Sequence, residues 1–267
     1  MFFDYIGDKK MIFKEIYAYR EMIFSLIRRD LVGKYKKSIL GFLWTFVDPL
    51  LQLLVYTVVF TMIMPQNIDN FYIHLFVALI PWNFCASCLN GGCVAVVNQQ
   101  DMVKKIYFPR EVLPIAYTSS QFVNMVYSFI VVFIVLIISG VGINPLAIIW
   151  LPVVMIIQYI FCLGVTMLTS AITVYLRDMQ QILSVLSMAL MYASPVIYSI
   201  NMVPNSMRSI YMLNPMSAII VAYRDILYYK KAPTGDTLGI AFGVSAVVVI
   251  IGYMVFARLK RRFVEEL

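Results

Sequence analysis

Chemistry needs groups that ionise, coordinate or attack, and this chain has few of them placed to work together. Cys85 and Cys88 have a C-x-x-C spacing, but no second Cys or His pair accompanies them. Cys93 and Cys162 lie, like them, inside apolar segments, so packed thiols are expected rather than a metal or redox centre. The single histidine, His74, stands at the start of an apolar stretch, where a partly wet interfacial imidazole is expected. Asp48 precedes Pro49 near one end of another stretch; it reads as a helix N-cap, with a coupling-ion site as the other reading. No G-x-x-x-x-G-K-[S/T] occurs, so the chain carries no phosphate-cradling loop of its own. No His or carboxylate cluster stands at a span end, as a membrane glycosyl- or phosphotransferase would need. The most informative stretch is a loop, Asn98 to Glu111, which mixes charge with the apolar trio Ile106, Tyr107 and Phe108. An apolar knob exposed among charges calls for a protein pocket; the alternative is a loop folding back into lipid headgroups.

The elements that hold these groups are set by hydropathy. The chain has 267 residues, 62% of them hydrophobic and 13% charged, with a mean hydropathy of +0.85. Soluble domains are far more charged, and disordered chains far less apolar. From Val112 to Leu176 there is no Lys, Arg, Asp or Glu, room for two passes of about 20 residues each. Runs of this length describe helices, not barrel strands of about ten residues. The fold class expected is an all-α integral membrane protein of six spans, at about 39–64, 71–97, 112–138, 145–174, 182–200 and 238–257. Spans three and four part at the breaker-rich string Ser139-Gly140-Val141-Gly142-Ile143-Asn144-Pro145. Ahead of them, in an N-terminal unit over 1–38, Ile12, Ile16, Tyr19, Ile23 and Ile27 recur at helical spacing, giving an amphipathic helix suited to the membrane interface or to a soluble partner. A basic tail, 258–267, closes the chain.

Orientation follows from Lys and Arg placement. With six spans both termini share a side, and seventeen of the 21 basic residues fall there: nine before Ile39, then Lys104, Lys105, Arg110, Arg177, Arg258, Lys260, Arg261 and Arg262. That side is expected to be the cytoplasm. The net charge of +7 is then mostly topology and needs no nucleic acid. The other four, Arg208, Arg224, Lys230 and Lys231, lie between spans five and six. There Met216 to Tyr229 has helical spacing after Asn214-Pro215, an N-cap and N1 pair. Fourteen residues rise about 21 Å, too little to cross, so a re-entrant or interfacial helical pair is expected on the outer side.

Four strings, in order and on these sides, resemble the membrane subunits of type-2 ABC exporters, in the branch that exports polysaccharides of O-antigen, capsule or teichoic-acid type. They are Arg29-Asp30-Leu31 through Lys34-Tyr35-Lys36-Lys37-Ser38-Ile39-Leu40-Gly41-Phe42-Leu43-Trp44 to Asp48-Pro49-Leu50, and Val103-Lys104-Lys105-Ile106-Tyr107-Phe108-Pro109 with Leu113-Pro114. The others are Tyr175-Leu176-Arg177-Asp178 with Ser194-Pro195-Val196-Ile197-Tyr198, and Asn214-Pro215 with Tyr223-Arg224. The resemblance implies a permease, not an enzyme, in the bacterial cytoplasmic (inner) membrane, moving a lipid-linked polysaccharide. It implies a homodimer paired with two copies of a separate ATPase subunit, which would bind the ATP and Mg; no cofactor or metal is expected in this chain.

By the same resemblance Lys104, Lys105, Ile106, Tyr107, Phe108, Pro109 and Arg110 would couple to the ATPase, beside Arg28, Arg29 and Asp30 of the interface helix. Spans one, two and five of both copies would line a channel, with Tyr56, Phe60, Trp82, Tyr192 and Tyr198 offering rings to sugar faces. Asn214, Pro215, Tyr223 and Arg224 would belong to outer gate helices. Two alternatives stand beside this: a type-2 exporter of drugs or lipids, and a proton-coupled secondary transporter, which the shortage of midplane acids disfavours.

Overall fold

The computed structural model describes residues 14–33, 38–60 and 68–267. Ile12, the lysines at 34, 36 and 37, and the far end of the first expected span lie outside the described residues, and the side chains at 205 and 208–210 are likewise left aside. Every regular element among the described residues is helical. We label α1 Arg20–Gly33, α2 Trp44–Val58, α3 Phe71–Asn90, α4 Gln100–Lys105, α5 Val112–Ile138, α6 Leu151–Tyr175, α7 Met179–Tyr192, α8 Asn205–Met212, α9 Pro215–Leu227 and α10 Gly235–Leu259.

Among the described residues five stretches are long and apolar enough to cross a bilayer: Gly41–Val58, Phe71–Val94, Val112–Ile138, Pro145–Tyr175 and Gly235–Glu266. They overlap five of the six expected spans, the first as far as Val58. The fifth expected span differs. Its helix, α7, has 14 residues and stops at Tyr192, before Ser194-Pro195, instead of continuing to 200. At about 1.5 Å per residue it reaches about 21 Å, short of a bilayer core of about 30 Å. Pro195 cannot donate a helical hydrogen bond, and the chain turns there because other partners take up the freed carbonyls.

The core forms around α3, which is buried along most of its length by α5, α6, α7 and α9 and keeps one polar stripe at Asn83, Ser87 and Asn90. The most extensive helix pair is α6 with α10. A Cβ on Gly164 would lie 2.5 Å from the Cα of Val249, and one on Gly252 would strike the Gly164 carbonyl, so only glycine lets the two backbones meet. Just past the end of α3 the chain packs closely too: a Cβ on Gly92 would lie 2.9 Å from Oγ1 of the Thr166 side chain.

Segments assigned to one side by their charge do gather at one end, here the basic end. Phe263 of the closing turn joins Leu26, Val103, Phe108, Val112, Leu113 and Phe256 in a single apolar cluster, tying α1, α4, α5 and α10 together. The Tyr175 hydroxyl donates to the Leu259 carbonyl at 2.9 Å, and Lys260 pairs with Glu111. At the opposite end Asn144 Nδ2 donates to the Lys230 carbonyl at 2.8 Å, and the Tyr228 hydroxyl to the Asp69 carbonyl.

Candidate functional site

The loop 98–111 is built on a short helix, α4, whose charges match its dipole, with Asp101 in the first turn and Lys104 and Lys105 in the last. At Ile106 the backbone becomes extended (φ −126°, ψ 136°), and the side chains that follow part company. Tyr107 is 84% exposed and Ile106 57%, while Phe108 is 1% exposed inside the basic-end cluster. The expected three-residue knob is therefore two residues on an anchor. Phe108 belongs to the core because Pro109, Arg110 and Glu111 lead straight into α5, drawing the ring inward. Arg110 sits 5.9 Å from the centre of the Tyr107 ring, within cation–π range. Glu111 has its carboxylate buried, and Lys260 from beyond α10 supplies the opposite charge.

The amphipathic helix docks on α5. Leu26 is buried, and Tyr19, Met22, Ile23 and Ile27 pack against the same cluster, close to the expected face. Arg28 is exposed. Arg29 donates to Gln99 Oε1 at 3.1 Å and pairs with Asp30 at 3.4 Å. Burial raises the Asp30 carboxyl above its ordinary value, against the pull of Arg29.

Beside this contact lies a cavity of about 860 Å³, bordered by α1, α2, α3, α5 and the Asn98–Gln99 turn. Its walls mix apolar side chains with polar stripes at helical spacing. From α2 come Thr45, Asp48 and Gln52; from α3, Asn83, Ser87 and Asn90; from α5, Tyr117, Gln121, Asn124 and Ser128. Asn83 Nδ2 donates to Gln52 Oε1 at 2.8 Å, bridging α3 to α2. Asn124 Oδ1 is buried without a hydrogen-bond partner among the described residues. Along α3 the lining runs from Asn90 to Ile80, about 15 Å from the basic end towards the middle of the bundle. Asp48 is no N-cap, since α2 begins at Trp44 and places it inside the helix. Sequence reading passed over these stripes, although i, i+4, i+7 polar residues within a span are their visible mark.

The sequence pattern of the ABC-2 type transporter family matches residues 21–228, a stretch that includes α1, the loop, the cavity walls and α9. The chain belongs to the ABC-2 type transporter family. This ABC-2 transporter chain is 34% identical over 256 residues to the O-antigen export system permease protein RfbA of Myxococcus xanthus, covering 95% of this chain and 98% of that protein. It is 27% identical over 248 residues to an RfbA permease of Klebsiella pneumoniae, covering 92% and 95%. Over 262 residues it is 19% identical to the capsule polysaccharide export inner-membrane protein CtrC of Neisseria meningitidis, covering 95% and 96%.

At the other end of this ABC-2 chain, α9 is the expected helix. Asn214 caps it, its side chain accepting from Met216 N at 3.1 Å, and Pro215 takes the first position. Nearly all of α9 is buried in protein. Arg224, 3% exposed, donates to three carbonyls: His74 at 3.1 Å, Tyr198 at 2.9 Å and Val196 at 2.8 Å. Those bonds hold the turn that ends α7. The Tyr223 hydroxyl donates to Gln158 Oε1 at 2.8 Å, and Gln158 Nε2 to the Pro81 carbonyl at 2.7 Å, locking α9, α6 and α3. His74 is fully buried between Phe71 and Tyr228, not wet as expected, because α9 brings Tyr228 over it.

The five aromatic residues expected to line a channel are scattered. Tyr56 and Phe60 stack 6.3 Å apart near Phe71, and Tyr198 meets Tyr211 through their hydroxyls. Tyr192 is exposed, whereas Trp82 is 3% exposed in the core. None of the five borders the cavity. All four cysteines are free and buried.

Proposed function

We propose that this ABC-2 chain is the permease of a polysaccharide exporter, moving a lipid-linked cell-surface glycan across the inner membrane with its basic end in the cytoplasm. In this reading it works as a homodimer with two copies of a separate ATP-binding subunit, which supplies the ATP and Mg, and α9 lies re-entrant at the outer face. The names of the relatives, each matched over more than nine-tenths of this chain, support the cargo. A single geometric observation carries the coupling: Ile106 and Tyr107 project from a loop whose next residue, Phe108, is sunk in the core. Two exposed apolar side chains on an immobile base suit a socket on a partner, and force applied to them passes into α5, α10 and α1 together.

The test replaces Ile106 and Tyr107 by Ala and leaves Phe108 intact. Surface polysaccharide is expected to fall about tenfold or more, the scale of losing one buried anchor, with membrane insertion unchanged. Export at the wild-type level would overturn the coupling role.

A further inference from the structure

The polar stripes around the cavity are used neither by the coupling loop nor by the outer helices. We propose that this cavity binds an uncharged, hydroxyl-rich stretch of the glycan, and that Gln52, Asn83 and Asn124 recognise it. The inference rests on the reading that the cargo is a polysaccharide.

Polar side chains within spans are costly unless paired, and here three separate helices turn theirs towards one volume. Their pairing is incomplete. The Asn83–Gln52 bond uses one donor and one acceptor, leaving the Gln52 amide hydrogens and the Asn83 carbonyl oxygen for a ligand, and Asn124 Oδ1 is buried unpartnered among the described residues. A sugar ring presents neighbouring hydroxyls, each both donor and acceptor, which is the complement of such amides. An apolar drug or lipid tail would leave them unpaired, at about 1–3 kcal/mol each. An anionic group would meet Asp48 and Asp30, with Arg29 already engaged by Asp30 and Gln99. At about 860 Å³ the space lies within the range of small-ligand sites, so it takes a short segment rather than a whole chain.

The test uses a strain lacking this permease, complemented with the full chain and its ATPase. Gln52→Leu with Asn83→Leu, and Asn124→Leu alone, should each lower surface polysaccharide about tenfold, the loss of one or two net hydrogen bonds, with assembly onto the ATPase unchanged. A second measurement leaves the three amides in place. Ala86 borders the cavity and the native thiols are buried, so Ala86→Cys gives a reporter. Its maleimide labelling in inverted membranes without ATP should slow when those membranes are loaded with lipid-linked glycan, and Gln52→Leu with Asn83→Leu should abolish that protection. If the wild-type chain restores no surface polysaccharide, the export reading fails. If it does, yet the Leu variants export normally or glycan gives no protection, the cavity inference falls and export stands. Should a Leu variant not accumulate, protection of the Ala86→Cys chain decides.

Discussion

Two side chains at opposite ends of the bundle show how a buried charge can be structural. Glu111 carries a carboxylate that Lys260 neutralises from the far end of the chain. Removing one partner of such a pair strands the other. Lys260→Met should therefore cost about 3–5 kcal/mol, and adding Glu111→Leu should recover most of it. Thermal unfolding of the purified protein checks this, and a double variant as unstable as the single would refute it. Arg224 plays the corresponding part at the other end, where three carbonyls share one guanidinium. Arginine's planar fork can do this and lysine's point charge cannot. Both residues could be picked from the sequence as exceptions, an acid beside the loop and a base in the segment before the last span. Their partners could not, since Glu111 and Lys260 stand 149 positions apart and Arg224 and His74 stand 150 apart.

Among the helices, α6 and α10 form the packed spine, and their contact depends on two missing side chains. Gly164→Ala should push α10 away and cost about 1–3 kcal/mol, because the new methyl meets the backbone of Val249, which has no rotamer to yield. Gly243→Ala on the same α10 meets nothing within 4 Å and should cost nothing. Comparing melting temperatures of the two variants tests the spine, and equal effects would contradict it. By contrast α2 and α7 keep exposed apolar faces, Leu50, Leu51, Leu54 and Val55 on one and Ile182, Val185 and Met188 on the other.

For the whole molecule, the two ends are different machines. The basic end joins α1, the loop, the close of α6 and the chain's last turn in one apolar cluster. The other end is knitted by hydrogen bonds to carbonyls of broken backbone. With the basic end in the cytoplasm, Tyr107→Cys should react with an impermeant maleimide only in inside-out vesicles, and Leu213→Cys, exposed at the other end, only in intact cells or spheroplasts. The reverse pattern would overturn the orientation.

Hydropathy is summed over about twenty residues at a time, so the sequence by itself determined membrane residence, the places of five long apolar helices and which segments share an end. Local chemistry likewise determined the Asn214-Pro215 start of α9, since a cap acts within one turn. Tertiary structure decided the rest. It buried Phe108 and His74, stopped α7 at Tyr192 and turned three polar stripes into one cavity. In a span of nearly uniform apolarity no local term says which face meets a neighbour. That is settled where distant helices approach, at Gly164 against Val249 or Arg224 against the Val196 carbonyl.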